Sequence, residues 1–167
     1  PLDRHAGVMQ ELQGFAPAPP AAQMFGGAGR EYRWKHGTKR ETFAQVSVKA
    51  RRHGLANPFA QFRKETTIEE VLASRPIADP LTLFQCCPTG DGAAVAVIVS
   101  EKERRKRGAK GARVMASVLH SGRATTGFRN MLRPEISYES AREAYDDAGV
   151  DPINIDMVDL HDAFSIG

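Results

Sequence analysis

The 167 residues are 41% hydrophobic and 26% charged, a composition typical of globular proteins and not of disordered ones. No apolar run approaches the roughly 20 residues that a membrane-spanning helix needs. The formal net charge of +3 combines basic stretches at 30–52 and 101–113 with an acidic stretch at 135–162. This asymmetry is compatible with solvated helix faces, a nucleic acid, a phosphorylated ligand or an oppositely charged partner.

The two cysteines, Cys86 and Cys87, are adjacent, and adjacent cysteines rarely form a disulfide because the geometry of the bond is demanding. Their spacing does not match a zinc site, so we expect free thiols, a reducing compartment and no metal. The chain has neither an initiator methionine nor a signal-peptide layout. We therefore expect a chain excised from a longer protein.

The segment from residue 23 to residue 75 is predicted to be mostly helix and loop. Gly26, Gly27 and Gly29 lie near its start, and no phosphate-loop pattern accompanies them. Small residues in this position favour close approach of another backbone, either for packing or for a ligand. Gly37 is expected to end the first part of this segment.

Two capping-box patterns, a Thr with a Glu three residues later, predict helices in the same segment. The first, Thr38 to Glu41, opens a helix to about Arg52 that Gly54 ends. The second, Thr67 to Glu70, opens a short helix to about Ser74, which the following proline terminates.

Three apolar runs predict strands at 93–99, 113–119 and 154–160, the first of them buried on both faces. Between them lie two predicted helices, one from Ser100 to Arg107 and one from Glu139 to Ala148. Alternation of strands and helices predicts an α/β layered sheet.

Two groups of polar residues are candidates for chemistry. His161 and Asp162 follow the last predicted strand, where ligands bind in open α/β sheets. A histidine there can serve as a general base, an oxyanion donor or a metal ligand. A lone histidine is more often structural, but the position directly after a predicted buried strand favours a functional role. Cys86 and Cys87 precede a turn and not a helix start, which favours residues lining a site or filling a core over a nucleophile.

These residues carry a resemblance to a known family. The stretch 85–94, QCCPTGDGAA, resembles the CCPxSDGAAA stretch of thiolases, especially the sterol-carrier-protein-type thiolases, and 160–165, LHDAFS, resembles their HDxFS motif. Further counterparts, AQMFG at 22–26, HGT at 36–38 and NPFAQF at 57–62, occur in the family's order. The chain is therefore similar to this family over nearly its whole length.

The resemblance implies a fold of two similar α/β halves, layered αβαβα, with a mostly helical loop domain inserted in the first. Residues 1–78 would be the loop region, 79–134 the end of the amino-terminal half with its linker, and 135–167 the start of the carboxyl-terminal half. The fold would then be only partly present in this chain.

The family breaks or forms a carbon–carbon bond in a 3-oxoacyl-CoA by thiol attack and acyl transfer to coenzyme A. The resemblance implies that His161 belongs to the oxyanion hole that holds the thioester oxygen. It also implies that Cys87 and Met24 line the pantetheine channel. Coenzyme A is in this family a substrate and not a resident cofactor, so no cofactor is expected.

The chain departs from the family because it contains neither the family's nucleophilic cysteine nor its GHP and CxG motifs, and Thr89-Gly90 replaces a small residue and a serine. We therefore expect a segment of a thiolase-like acyltransferase for 3-oxoacyl-CoA or acetyl-CoA, inactive alone. The alternatives are a non-catalytic thiolase-like lipid-handling subunit and a steroid-CoA carbon–carbon lyase.

The expected partners are an acyl-CoA and, in the intact protein, a second copy or a partner subunit, with no nucleic acid. The expected location is the cytoplasm, or the peroxisome of a eukaryotic cell.

Overall fold

The computed structural model describes residues 17–122 and 130–167. Its elements in chain order are helix α1 (Pro20–His36), helix α2 (Arg40–Ala56), helix α3 (Ile68–Ala73), strand β1 (Pro76–Ala78), strand β2 (Leu81–Thr82), a 3₁₀ turn (Leu83–Gln85), helix α4 (Glu101–Lys106), helix α5 (Glu135–Ala148) and a second 3₁₀ turn (Pro152–Asn154). The first compact unit contains the described residues up to Pro88 together with Asp159–Gly167, and the second is the described part of Thr89–Val158.

Helix α1 begins and ends with residues suited to those positions. Pro20 is its first helical residue, where the missing N–H breaks no helical hydrogen bond. Gly37 follows the helix with φ of 66°, and its N–H donates to the carbonyl of Arg33 at 2.8 Å. This left-handed conformation favours glycine, so the prediction that Gly37 ends the segment is confirmed.

Two glycines of α1 allow other parts of the first unit to approach the helix backbone. A Cβ on Gly26 would lie 2.9 Å from the carbonyl oxygens of both Ala78 and Asp79. A Cβ on Gly29 would collide with the side chain of Ile166 and would lie 3.2 Å from that of Pro80. The small residues therefore serve packing, which is one of the two uses that the sequence suggested.

The predicted ends of α2 are wrong. The helix begins at Arg40, and Lys39 precedes it without a side-chain capping bond, so Thr38 does not cap it. It also continues through Gly54 to Ala56. A Cβ on Gly54 would lie 2.9 Å from the carbonyl oxygen of Phe62, so this glycine accommodates the returning chain instead of ending the helix.

Helix α3 is capped as its sequence predicts. The Thr67 hydroxyl accepts from the Glu70 N–H at 3.2 Å, and the Glu70 carboxylate accepts from the Thr67 N–H at 3.0 Å. Strands β1 and β2 follow and pair antiparallel, joined through a cis Asp79–Pro80 bond.

The second unit contains α4 and α5. The Ser100 hydroxyl accepts from the Glu103 N–H at 3.2 Å at the start of α4, as predicted. Helix α5 begins before the predicted Glu139, and Gly149 ends it with φ of 63°. Among the described helices, none is both long and apolar enough to cross a membrane.

The three predicted strands are wrong: residues 93–99, 113–119 and 154–160 form no strand. The first of them is exposed, with Val95 94% and Val97 88% accessible to solvent. A buried strand needs hydrogen-bonded neighbours and covering helices, and within the described ranges only β1 and β2 form a sheet. The described residues are therefore a mixed helix and small-sheet structure, compatible with the α/β class. The layered αβαβα fold and the domain boundaries remain predictions.

Candidate functional site

The two motifs that carry the family resemblance meet in the first unit. Cys86 forms an antiparallel bridge with Phe164. The Cys87 N–H donates to the Ala163 carbonyl at 2.8 Å, and the Ser165 N–H donates to the Gln85 carbonyl at 3.0 Å. Residues separated by nearly half the chain are thus joined by a short backbone ladder.

Side-chain hydrogen bonds fix this ladder to the rest of the unit. The Gln85 amide nitrogen donates to the Ser165 hydroxyl at 3.1 Å. The Gln85 amide oxygen accepts from the Thr82 N–H at 3.0 Å and from the Thr82 hydroxyl at 3.1 Å. The Thr82 hydroxyl is also 2.7 Å from the Val71 carbonyl. Because Gln85 and Thr82 are buried, these bonds satisfy polar groups that water does not reach.

Phe164 anchors the carboxyl-terminal motif in the core. It is buried with Ala22 and Leu81, and its ring stacks on that of Phe25 with the centroids 4.7 Å apart. Stacked aromatic pairs contribute beyond the area that they bury. The phenylalanine of the HDxFS-like stretch is therefore a packing residue that positions its neighbours.

An open cleft of about 300 Å³ lies beside the joined motifs. Helix α2, the loop after it, the first 3₁₀ turn and both motifs contribute to its walls; the lining residues that matter for chemistry are Ser47, Arg51, Cys86, Cys87, Asp162 and Ser165. The cleft therefore combines thiols, hydroxyls, one cation and one carboxylate with an apolar surround.

Of the three predicted site residues, Cys87 lines the cleft, and His161 and Met24 do not. Cys87 is exposed and lines the cleft. His161 is exposed, just before the anchored Phe164, and is not among the described lining residues. Met24 lies on α1, 38% exposed, and does not line the cleft either. The oxyanion role of His161 and the channel roles of Cys87 and Met24 remain predictions.

The two thiols differ in environment. Cys86 is partly buried, and its Sγ lies 3.4 Å from the Thr82 carbonyl oxygen. Burial, with a smaller contribution from Cys87, raises the pKa of the Cys86 thiol. A raised pKa leaves less thiolate at neutral pH, which agrees with the sequence argument against a nucleophile here. No group of three or more metal-binding side chains occurs in the ranges that the structure describes.

Sequence reasoning missed the residues that build the site. Gln85 and Ser165 lie inside the recognised motifs, but local pattern does not indicate that they bond to each other. Arg51 belongs to a basic stretch, and nothing in its spacing distinguishes it from its neighbours. Its ring partners, Phe62 and Phe84, lie in the loop after α2 and in the first 3₁₀ turn. Their contact with Arg51 depends on the fold, so no local sequence signal would have found it.

Comparison with known proteins tests the resemblance. Over 171 residues the chain is 41% identical to sterol carrier protein 2 of Oryctolagus cuniculus, an alignment that includes 99% of the chain and 31% of that protein. The corresponding identity to sterol carrier protein 2 of Homo sapiens is 39%, with the same shares. Benzoylsuccinyl-CoA thiolase subunit BbsB of Thauera aromatica is 41% identical over 138 residues, 82% of the chain and 36% of that subunit.

The chain is a thiolase-superfamily sequence of the sterol carrier protein 2 type. The family predicted from the two motifs is thereby confirmed. The chain spans about a third of the length of the sterol carrier protein 2 relatives. No protein-family model matches it.

In this sterol carrier protein 2-type sequence, the backbone ladder between 85–87 and 163–165 joins the two family motifs. It shows that the two motifs are structural neighbours as well as sequence markers.

Proposed function

We propose that the chain forms part of the acyl-CoA-binding face of a thiolase-like acyltransferase that acts on 3-oxoacyl-CoA or acetyl-CoA thioesters in lipid or sterol side-chain metabolism. The observation that supports this proposal best is the union of the two motifs beside one cleft, with the Cys87 N–H bonded to the Ala163 carbonyl at 2.8 Å. This union brings a cleft-lining thiol close in space to the segment that carries His161.

In the proposed mechanism, His161 donates an imidazole N–H to the thioester carbonyl oxygen. Negative charge develops on this oxygen in the transition state, and a prearranged donor stabilises it. The anchored Phe164 limits the freedom of the segment that carries the histidine. Cys87 and Met24 contact the pantetheine part of the substrate. The nucleophilic cysteine is not among the residues of this chain.

The names of the relatives support the reaction class. BbsB is named as a thiolase subunit, and an acetyl-CoA acetyltransferase of Methanothermobacter thermautotrophicus is 37% identical over 138 residues. Both names describe chemistry on coenzyme A thioesters. We infer the same class of substrate for the protein that carries this chain.

A second candidate is a non-catalytic lipid-handling subunit. A non-specific lipid-transfer protein-like 2 of Caenorhabditis elegans is 34% identical over 171 residues, which agrees with this alternative.

We also propose that the protein works in the cytoplasm or in a eukaryotic peroxisome, as a homo-oligomer or with a partner subunit. The exposed thiol of Cys87 suits a reducing compartment. Light scattering of the purified natural protein measures its assembly state, and a monodisperse monomer would contradict the oligomer.

The natural protein, at its full length, tests the proposed activity. Acyl-CoA binding is measured by calorimetry, and CoA-dependent cleavage of a 3-oxoacyl-CoA is followed by chromatography of the products. We expect His161→Ala to reduce kcat about 100-fold to 1,000-fold, the usual effect of losing one oxyanion donor, with little change in binding. His161→Asn should retain part of the activity because its amide also donates.

The matched control is His53→Ala, an exposed histidine near the end of α2 that should leave the rate unchanged. Full activity of His161→Ala would refute the oxyanion role. Binding without cleavage in the wild-type protein would favour the lipid-handling subunit. Cleavage that needs no free coenzyme A would indicate a lyase.

A further inference from the structure

Arg51 lies where two clefts of the first unit meet, since its side chain lines both. Its guanidinium carbon is 4.2 Å from the ring centre of Phe62 and 5.1 Å from that of Phe84. Both distances are within the range of cation–π attraction. The three side chains connect α2, the loop after it and the first 3₁₀ turn.

The charge of Arg51 is not neutralised by an ion pair in the described part of the chain. Arg104, Arg105 and Arg107 each pair with a glutamate on their own helix. Arg51 forms no such pair within the described ranges. Its guanidinium therefore retains N–H donors for a ligand.

Acidic side chains also line the two clefts and limit where an anion can bind. Asp162 lines the first cleft, and Glu65 and Glu70 line the second. Glu70 already accepts hydrogen bonds from Thr66 and Thr67, at 2.9 and 3.0 Å. Lys64 adds a second positive charge to the second cleft. At the junction, the two phenylalanine rings therefore hold the Arg51 guanidinium in position, and no carboxylate of the described residues is bonded to it.

Stacking and donation use different parts of a guanidinium. Aromatic rings contact its face, whereas the N–H groups point outward in its plane. A stacked arginine is thus held in orientation and can still bind the two oxygens of a phosphate side by side. Because its rotamer freedom is already restricted, less entropy is lost when the anion binds.

We propose that Arg51 is an anion-recognition residue that binds a phosphate or pyrophosphate group of the coenzyme A thioester at the junction of the two clefts. This inference rests on the proposed function for the identity of the ligand. Arg51 contacts the substrate's phosphate end and takes no part in the acyl transfer itself. A purely structural role, with Arg51 only bridging the two rings, predicts no change in anion affinity when the charge is removed.

Calorimetry on the natural protein separates the two roles. The probes are coenzyme A and inorganic pyrophosphate, and the variants are Arg51→Met, Arg51→Lys and the control Arg52→Met. Methionine keeps an apolar side chain over the rings and removes the donors, whereas lysine keeps the charge and removes the planar fork. Arg52 is the exposed neighbour of Arg51 on α2, so its replacement controls for the loss of one positive charge.

We expect Arg51→Met to weaken the binding of both probes about tenfold or more, the loss typical of a charge-assisted hydrogen bond. Arg51→Lys should be intermediate, and Arg52→Met should bind as the wild type does. Equal affinities of wild type and Arg51→Met would overturn the proposal, as would a wild-type protein that binds neither probe.

A measurement on the wild type covers the case in which Arg51→Met does not fold. The NMR cross-peak of the Arg51 Nε–H group should shift as pyrophosphate is added, and an unmoved cross-peak overturns the proposal. The outcome is also separable from that of the proposed function. Binding through Arg51 without cleavage would support the anion site and contradict the acyltransferase activity. Cleavage with unchanged affinity in Arg51→Met would support the acyltransferase activity and overturn the anion site.

Discussion

Gln85 and Ser165, eighty residues apart in the sequence, are joined twice. The Ser165 N–H donates to the Gln85 carbonyl at 3.0 Å, and the Gln85 amide nitrogen donates to the Ser165 hydroxyl at 3.1 Å. Both residues are buried. The pair therefore holds the carboxyl-terminal motif against the 3₁₀ turn by backbone and side chain together.

The first prediction concerns this pair. Ser165→Ala removes the hydroxyl and leaves a buried amide donor of Gln85 without its partner. An unsatisfied buried group of this kind costs about 1–3 kcal/mol of unfolding free energy. Urea unfolding followed by circular dichroism measures the change. The double variant Gln85→Met with Ser165→Ala should lose less than the sum of the single variants, because one interaction joins the two residues. Additive losses would contradict the coupling.

The second prediction is a reversal of the usual effect of replacing glycine in a helix. Alanine normally stabilises a helix interior by about 1 kcal/mol relative to glycine. At Gly26 we expect destabilisation, because the new Cβ would lie 2.9 Å from two carbonyl oxygens. Gly111→Ala is the control, since nothing lies within 4 Å of its Cβ position. The thermal midpoint should fall for Gly26→Ala and not for Gly111→Ala. A rise at Gly26 would show that the turn between β1 and β2 moves away easily.

Three glycines were predicted to end helices, and their actual positions show which structural features can be predicted from the sequence. Gly37 and Gly149 end their helices with positive φ, and their signals are local, since each follows the last helical residue. Gly54 gives the same local signal and lies inside α2, because the Phe62 carbonyl determines its role. The contact arises because the chain after α2 folds back onto the helix, and such a contact leaves no mark in the local pattern of residues that end helices.

The wrong strand predictions and the unpredicted contact in the site have a related cause. Residues 93–99 have the composition of a buried strand, but a strand forms only where neighbouring strands supply hydrogen bonds, and within the described ranges these residues join no sheet. The motifs at 85–94 and 160–165 were recognised from the sequence, and the family is confirmed. Their contact through Gln85 and Ser165 was not predicted, since periodicity reports only on residues close in the chain.

The third prediction concerns the capping box of α3. Thr67→Ala removes the hydroxyl that accepts from the Glu70 N–H at 3.2 Å, and loss of such a cap costs about 1 kcal/mol. Thr67→Ser retains the hydroxyl and should remain near wild-type stability. Urea unfolding of the three proteins measures the difference. Equal losses for serine and alanine would indicate that the methyl group, and not the cap, matters.

The fourth prediction is a pH dependence in α4. Hydrogen bonds from Arg104 and Arg105, each 2.7 Å long at Nε, lower the pKa of Glu101 from 4.5 to about 2. A lowered pKa means that the stabilising effect is present above the ordinary value of 4.5 and is lost as the pH falls through about 2. An NMR titration of the Glu101 carboxyl carbon should show the low midpoint. Arg105→Gln should raise the midpoint, and Arg107→Gln should not, because Arg107 bonds to Glu103.

The last prediction tests the aromatic anchor of the carboxyl-terminal motif. Phe164 is 8% exposed and stacks on Phe25, so Phe164→Ala removes a buried ring and leaves a cavity, at about 3–5 kcal/mol of unfolding free energy. Phe59→Ala is the matched control, because Phe59 is 93% exposed and such surface changes usually stay within about 0.5 kcal/mol. Chemical denaturation of both variants gives the comparison. Because Phe164 also holds the segment that carries His161, its loss should free that segment, and the His161 backbone amide should exchange with solvent faster. Similar stability losses for the two variants would mean that Phe164 does not anchor the motif.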